Sequence, residues 1–189
     1  MLGERSYNGE SGLLAVMAHE NVLNAMSAPT GQASPFPTEA WPTESFAERR
    51  KSLYLNDEGI EILHQPAAHT DGDVVVFFRR SDVVVAGHVL DDSRFPVIDL
   101  ARGGSIQGEI DALNRVIELA IPPGPFLGAP QGGITMSELP GGTEVLPGRG
   151  RVYRQLDVVE YRDMVVIIRD TIKFMIDQKM TLEQITAAA

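Results

Sequence analysis

The side chains with the most chemistry to offer gather in one stretch, "HTDGDVVVFFRRSDVVVAGHVLDD", His69 to Asp92. His69 leads into a turn, two short apolar runs follow, and a second histidine, His88, stands just ahead of Asp91 and Asp92. Neutral imidazole ligates divalent metals and moves protons near neutral pH, and a carboxylate can supply an oxygen ligand. By spacing alone, a histidine before a turn is as a rule a hydrogen-bonded structural residue. Asp73 is placed to organise that turn by accepting backbone hydrogen bonds. Further along, Arg149 sits in "LPGRG". Its guanidinium stays protonated, so it cannot ligate a cation, but it can hold a carboxylate or phosphate or pair with Asp91 or Asp92. A plain surface arginine in a turn is the alternative.

Other chemistries have no residues to carry them. The chain has no cysteine, which excludes disulfides and thiolate metal sites. No "GxSxG" elbow, "GxxxxGK" loop or "GxGxxG" turn occurs. Lys and Arg total 16 against 26 Asp and Glu, a formal net charge of -10. That balance argues against nucleic acid and anionic membranes as partners. The N-terminus lacks the basic region and long apolar run of a signal peptide, and no run elsewhere is long enough to span a bilayer. A cytoplasmic protein is expected.

The elements that must position these residues can be read from periodicity. With 189 residues, 43% of them hydrophobic, one domain with a real core is expected. "LLAVMA" predicts a short buried strand and "HENVLNAMSA" a helix. Residues 28–45 are rich in Pro, Ser and Thr and predict an irregular loop or arm, with Phe36 and Trp41 as its anchors. "KSLYL" and "IEILHQ" flank the turn signal "NDEG". "DVVVFFRR" and "DVVVAGHVL" predict a strand pair, and their unbroken apolar character predicts cover on both faces. "FPVIDL" predicts a further extended piece. "SIQGEIDALNRVIELA" predicts an amphipathic helix capped by Ser105, with Ile106, Ile110, Leu113 and Ile117 as its stripe. Pro122–Gly142 predicts a long irregular loop of the kind that often serves function. "TEVLPGRG" predicts a strand running into a glycine turn. "LDVVEYRDMVVIIRDTIKFMIDQKM" predicts the longest helix, its paired charges Glu160, Arg162, Asp163, Arg169 and Asp170 forming a solvated face. A last helix is capped by Thr181. The order of elements predicts a layered α/β domain.

Taken in order, "VMAHENVL", the "HTDGD" turn with its strand pair, "FPVIDLARGGSIQGEIDALNRVIELA" and "VLPGRG" followed by "EYRDMVVIIRDTI" resemble the later part of the metallo-β-lactamase fold superfamily. The resemblance runs from about Ala15 to the C-terminus. It implies an α/β fold, a truncated αββα metallo-β-lactamase-like sandwich over 1–189, incomplete at its N-terminus. Members are hydrolases of β-lactams, lactones, thioesters and phosphoesters that usually carry zinc.

The resemblance also implies departures. The family's "HxHxDH" segment belongs ahead of residue 1, and no two histidines here have that spacing. The aspartate usual in the second hairpin strand is replaced by His88, and the histidine of the family's late "GHG" by Arg149. His69 alone matches a ligand position. The implied site is one divalent ion on His69, His88 and Asp92, zinc first, with calcium or no metal as alternatives. Arg149 would bind an anionic part of a small-molecule substrate. His19 matches a position that is not a ligand, and His64, ending a strand close to the turn, could support the site from behind.

Two functions from different classes follow. One is a divergent hydrolase of a small ester or lactone, a bound ion activating water, with His69, His88 and Asp92 as the catalytic set. The other is a non-catalytic binding or assembly protein that keeps the fold without the metal centre; a fragment of a longer hydrolase is a third reading. The apolar strand pair, lacking a first-half partner, predicts a two-fold homodimer.

Overall fold

The computed structural model describes residues 15–28, 31–124 and 141–188. A two-stranded parallel ribbon joins β1 (Met17–His19) to β2 (Glu44–Phe46), with helix α1 (Glu20–Met26) between them. The main sheet has five strands in the order β3 (Arg50–Leu55), β4 (Glu58–Gln65), β5 (Asp73–Phe78), β6 (Val83–Asp91) and β7 (Glu144–Arg149). Its first three pairings are antiparallel, and β7 runs parallel to β6 after the crossover through α2 (Ile106–Leu119). Helix α3 (Gln155–Asp177) and the short α4 (Leu182–Ala188) complete the chain.

Local chemistry accounts for most of these elements. Asn56 and Asp57 both take positive φ, 53° and 59°, in the two-residue turn from β3 to β4, a conformation that Asn and Asp tolerate better than most residues. Ser105 caps α2, its Oγ accepting from the Gly108 amide at 2.9 Å. Helix α2 also lies unusually close to the β4–β5 connection, residues 66–72. A Cβ on Gly104 would stand 2.2 Å from the His69 carbonyl oxygen, and one on Gly108 1.9 Å from that of Ala67. Only glycine permits that approach.

Register assigns the two faces of the sheet. Val75, Phe77, Val84, Ala86 and Val145 pack with Leu113, Val116, Val158 and Val165 of α2 and α3 to form the core. The cross-strand rows Ile60, Phe78, Val83 and Ile62, Val76, Val85, Leu146 lie on the opposite face. Apart from buried Ile62, these residues are only half-buried, so the expected cover on both faces is not met among the described residues. The unbroken apolar run reflects one packed and one half-covered face.

Several predicted elements shift. The first strand starts at Met17 and is only partly buried, while Leu13 and Leu14 lie outside the described residues. The Pro-rich segment holds a single 3-10 turn at Thr38–Ala40 and ends in β2 from Glu44, because the Val16 carbonyl draws the Thr43 and Glu44 amides into pairing. "FPVIDL" forms no strand; it leads into a 3-10 turn at Leu100–Arg102 that Asp99 caps. Of the loop Pro122–Gly142, residues 125–140 lie outside the described residues. On α3, Arg162 and Arg169 are half-buried and reach Asn114 and Gln107 of α2, so that part of the helix is a polar seam rather than a solvated face.

Candidate functional site

The β4–β5 connection presents His69, and its shape comes from the residues around it. Asp73 Oδ2 accepts from the Thr70 amide at 2.5 Å and from the Thr70 hydroxyl at 3.2 Å, as the "HTDGD" pattern predicts. The His69 carbonyl accepts from the Asp99 amide at 2.9 Å, beneath the close approach of Gly104. The ring is fixed as well. His69 Nδ1 lies 2.5 Å from the Val97 carbonyl oxygen, which can only accept, so the proton sits on Nδ1. In the neutral ring the lone pair is then on Nε2, which has no protein partner among the described residues.

His88 stands beside it, the two ring centroids 5.2 Å apart and 23° from parallel. An irregularity in the β6–β7 pairing at Gly87, whose φ is +58°, breaks the strand's alternation there. His88 is consequently exposed, while Val89 and Leu90 after it are both fully buried. The pairing of Gly87 with Pro147 and of Asp91 with Arg149 brings the glycine turn of β7 against the same end of the sheet. Of the predicted site residues, His69 and His88 stack together, while Asp92 and Arg149 meet through the backbone at the end of β6.

The carboxylates do not complete a ligand set. Asp91 is buried and accepts from the Ser93 amide at 2.9 Å, the Ser93 hydroxyl at 2.5 Å and Arg94 Nε at 2.9 Å. The Ser93 hydroxyl and amide, helped by Arg94, lower its pKa to about 2. Asp91 thus pairs with Arg94 rather than Arg149, and its oxygens are taken. Asp92 is exposed and packs on Gly150, where a Cβ would come within 2.4 Å of its own Cβ. It neighbours Tyr153, whose hydroxyl is pushed up to about 12 by burial and then by the Asp92 carboxylate. Arg151 caps that ring at 4.5 Å and pairs with Asp157 at 2.7 Å. Among the described residues no group of three or more metal-binding side chains converges. Two imidazoles alone do not fit a resident zinc ion, which takes at least three protein ligands.

His19 and His64 form a second pair, stacked at 3.5 Å and 9° from parallel. His64 Nε2 meets the Asp71 carbonyl oxygen at 2.7 Å, and His19 Nδ1 accepts from the Asn21 amide at 3.3 Å, capping α1. Burial holds the His64 imidazole below the usual histidine range. The expectation of a structural His19 is met.

Sequence reading passed over Glu109. It is 1% exposed, and its Oε2 has no hydrogen-bond partner. Burial, then the Asp73 carboxylate, raise its pKa to about 8, so it is largely neutral at pH 7. The signal was present: position 109 falls three residues after Ile106 and four before Leu113, on the apolar stripe. Ile106, read as part of that stripe, is instead exposed.

No protein-family model and no curated protein matches the chain. Solved structures do. The structure of VMB-1 is similar over 79% of this chain and 55% of its own, with 11% identity and a TM-score of 0.50. The stereoselective inverting sec-alkylsulfatase Pisa1 from Pseudomonas sp. is similar over 78% of this chain and 22% of its own, with 10% identity and a TM-score of 0.53. A metallo-β-lactamase from Pontibacter korlensis aligns at 14% identity over 67% of this chain and 49% of its own, with a TM-score of 0.46. At such identities the likeness is one of fold. The fold is metallo-β-lactamase-like, as the two matches at TM-scores of 0.50 and 0.53 show, and the chain spans about half the length of the first structures it matches. No helix among the described residues is long and apolar enough to cross a membrane.

Proposed function

We propose that the chain is a hydrolase of small activated esters or lactones, with His69 as general base and His88 as its partner. The observation that carries this reading is the His69 ring. Its Nδ1 is committed to the Val97 carbonyl, its ring stacks beside that of His88, and its Nε2 has no protein partner among the described residues. In this reading His69 Nε2 takes a proton from water as the water oxygen attacks the ester carbonyl. The C–O bond to the leaving alkoxide then breaks, and the alkoxide receives a proton from His88 or from the newly charged His69. Arg149 holds an anionic part of the substrate, and Asp92 orders the turn beside it. Such general base help is worth about 10²- to 10⁴-fold, enough for esters with good leaving groups. The name of one similar chain, an alkylsulfatase, is that of a hydrolase and supports the reaction class.

The expected outcome is measurable hydrolysis of an aryl acetate and a γ-lactone that falls about 100-fold in His69→Ala, with β-lactams turned over weakly. Chelator should leave the rate unchanged. A rate indifferent to both His69→Ala and His88→Ala would reject the proposal. One observation favours the non-catalytic alternative: Asp91 is fully engaged with Ser93 and Arg94. Absence of turnover in the pure protein would select it.

The half-buried sheet face of Ile60, Val76, Phe78, Val83 and Val85 supports assembly as a homodimer. Sedimentation as a stable monomer at micromolar concentration would count against that.

A further inference from the structure

On the helix side of the sheet, a cleft of about 500 Å³ opens between the β3–β4 edge and α2. This volume suits a small organic molecule. Arg49, Arg50 and Arg115 line it, together with an apolar wall of Leu63, Pro66 and Ala67. Three guanidiniums at one cleft stand out in a chain of net charge -10.

The charges around them are incompletely balanced. Arg115 pairs with Glu118 at 2.9 Å. Arg50 pairs with Glu61 at 3.1 Å, but Glu61 also serves Arg79 at 3.5 Å, so one carboxylate faces two cations. Arg49 has no ion pair among the described residues. Asp111, the one acid lining the cleft, accepts from the Gln107 amide at 2.8 Å. Counting Arg49, Arg50, Arg79 and Arg115 against Glu61, Asp111 and Glu118 leaves one positive charge. That excess suits one negative charge better than two, which favours a carboxylate over a phosphate dianion. Guanidinium also matches a carboxylate edge with two parallel N–H donors. The apolar wall needs a ligand with a hydrocarbon body.

We infer that this cleft binds a small organic monocarboxylate, its carboxylate held by Arg49 and Arg115 and its apolar body lying on Leu63, Pro66 and Ala67. The site is separate from the histidine pair and does not rest on the hydrolase reading. The two are nonetheless joined through the β4–β5 connection, which offers Pro66 and Ala67 to the cleft and His69 to the other site.

The test is titration of the intact protein with phenylacetate, followed by amide chemical shifts and calorimetry. Saturable shifts are expected at residues 63–67 and 108–115. Affinity should fall about tenfold in Arg49→Gln and in Arg115→Gln, each the loss of one charge-assisted contact. Arg49→Lys, which keeps the charge and loses the fork, should fall between. Both positions are on the surface, and an unchanged melting temperature would show the variants folded. Phenylethanol, the uncharged counterpart, should bind at least about tenfold more weakly. The inference fails if phenylacetate produces no saturable shifts, if phenylethanol binds as well, if inorganic phosphate binds more tightly, or if both glutamine variants bind like the parent.

Discussion

Two pairs of histidines stand within one fold, and they differ in where their ring nitrogens go. His19 and His64 stack at 3.5 Å and tie three segments together, meeting the Asn21 amide and the Asp71 carbonyl. His69 and His88 stand 5.2 Å apart, with one nitrogen committed to Val97 and the others without a partner among the described residues. The first pair spends three of its four ring nitrogens on the chain. In the second, only His69 Nδ1 meets the chain among the described residues. Residue type says nothing about this difference, and neither does proximity, since the closer pair is the structural one.

The largest expected effect lies at a buried carboxyl outside both pairs. Glu109 is neutral in the folded state, with a pKa of about 8 against an ordinary 4.5. The stability this contributes is complete below pH 4.5, where the unfolded chain is protonated too. It is lost progressively as pH rises to about 8. The swing should be on the order of 5 kcal/mol, and Glu109→Gln should flatten it, as read from urea midpoints across that range. His64 has the opposite sign. Its depressed pKa favours the neutral ring, so its contribution is present above pH 6.5 and lost as pH falls through the folded value. His64→Gln should remove that acid sensitivity.

Next comes the support of His69. Gly104→Ala would drive a Cβ to 2.2 Å from the His69 carbonyl, and we expect about 3 kcal/mol of destabilisation from this backbone overlap. The urea midpoint would measure it, and a loss of hydrolysis beyond the loss of folded protein would show His69 displaced.

The two pairs themselves should then separate. His19→Ala removes a buried ring that stacks on His64, meets Phe46 edge-on at 5.3 Å and caps α1, and should cost about 2 kcal/mol. His88→Ala removes an exposed ring and should change stability by less than about 0.5 kcal/mol. Equal losses at the two positions would erase the distinction.

The smallest effect concerns metal. With two imidazoles and no third converging side chain among the described residues, zinc should bind more weakly than about 1 μM, and the His69→Ala, His88→Ala double variant should lose even that. Calorimetric titration showing tight stoichiometric zinc would place a third ligand beside the pair.

Much of the fold was legible because its signals are local. The Asn56–Asp57 turn, the Ser105 cap, the β-branched runs and the long α3 pattern each act over a few residues. The site was legible only as a set of neighbours. His69 and His88 could be paired through the hairpin, but the fate of Asp91 could not, because it depends on Ser93 and Arg94 turning back onto it. The stacking of His19 on His64 joins positions 45 residues apart in sequence, and no periodicity carries such a contact. Glu109 shows the converse failure: its place on the stripe was readable, and its charge made it look like a surface residue.

The most direct test of the contrast is carbethoxylation of the folded protein by diethyl pyrocarbonate, with each histidine mapped by mass spectrometry while aryl-ester hydrolysis is followed. We predict rapid modification of His69 and His88, slow modification of His19 and His64, and loss of hydrolysis in step with the first two. Modification of His19 or His64 at the same rate, or full hydrolysis retained after His69 and His88 are blocked, would contradict the account.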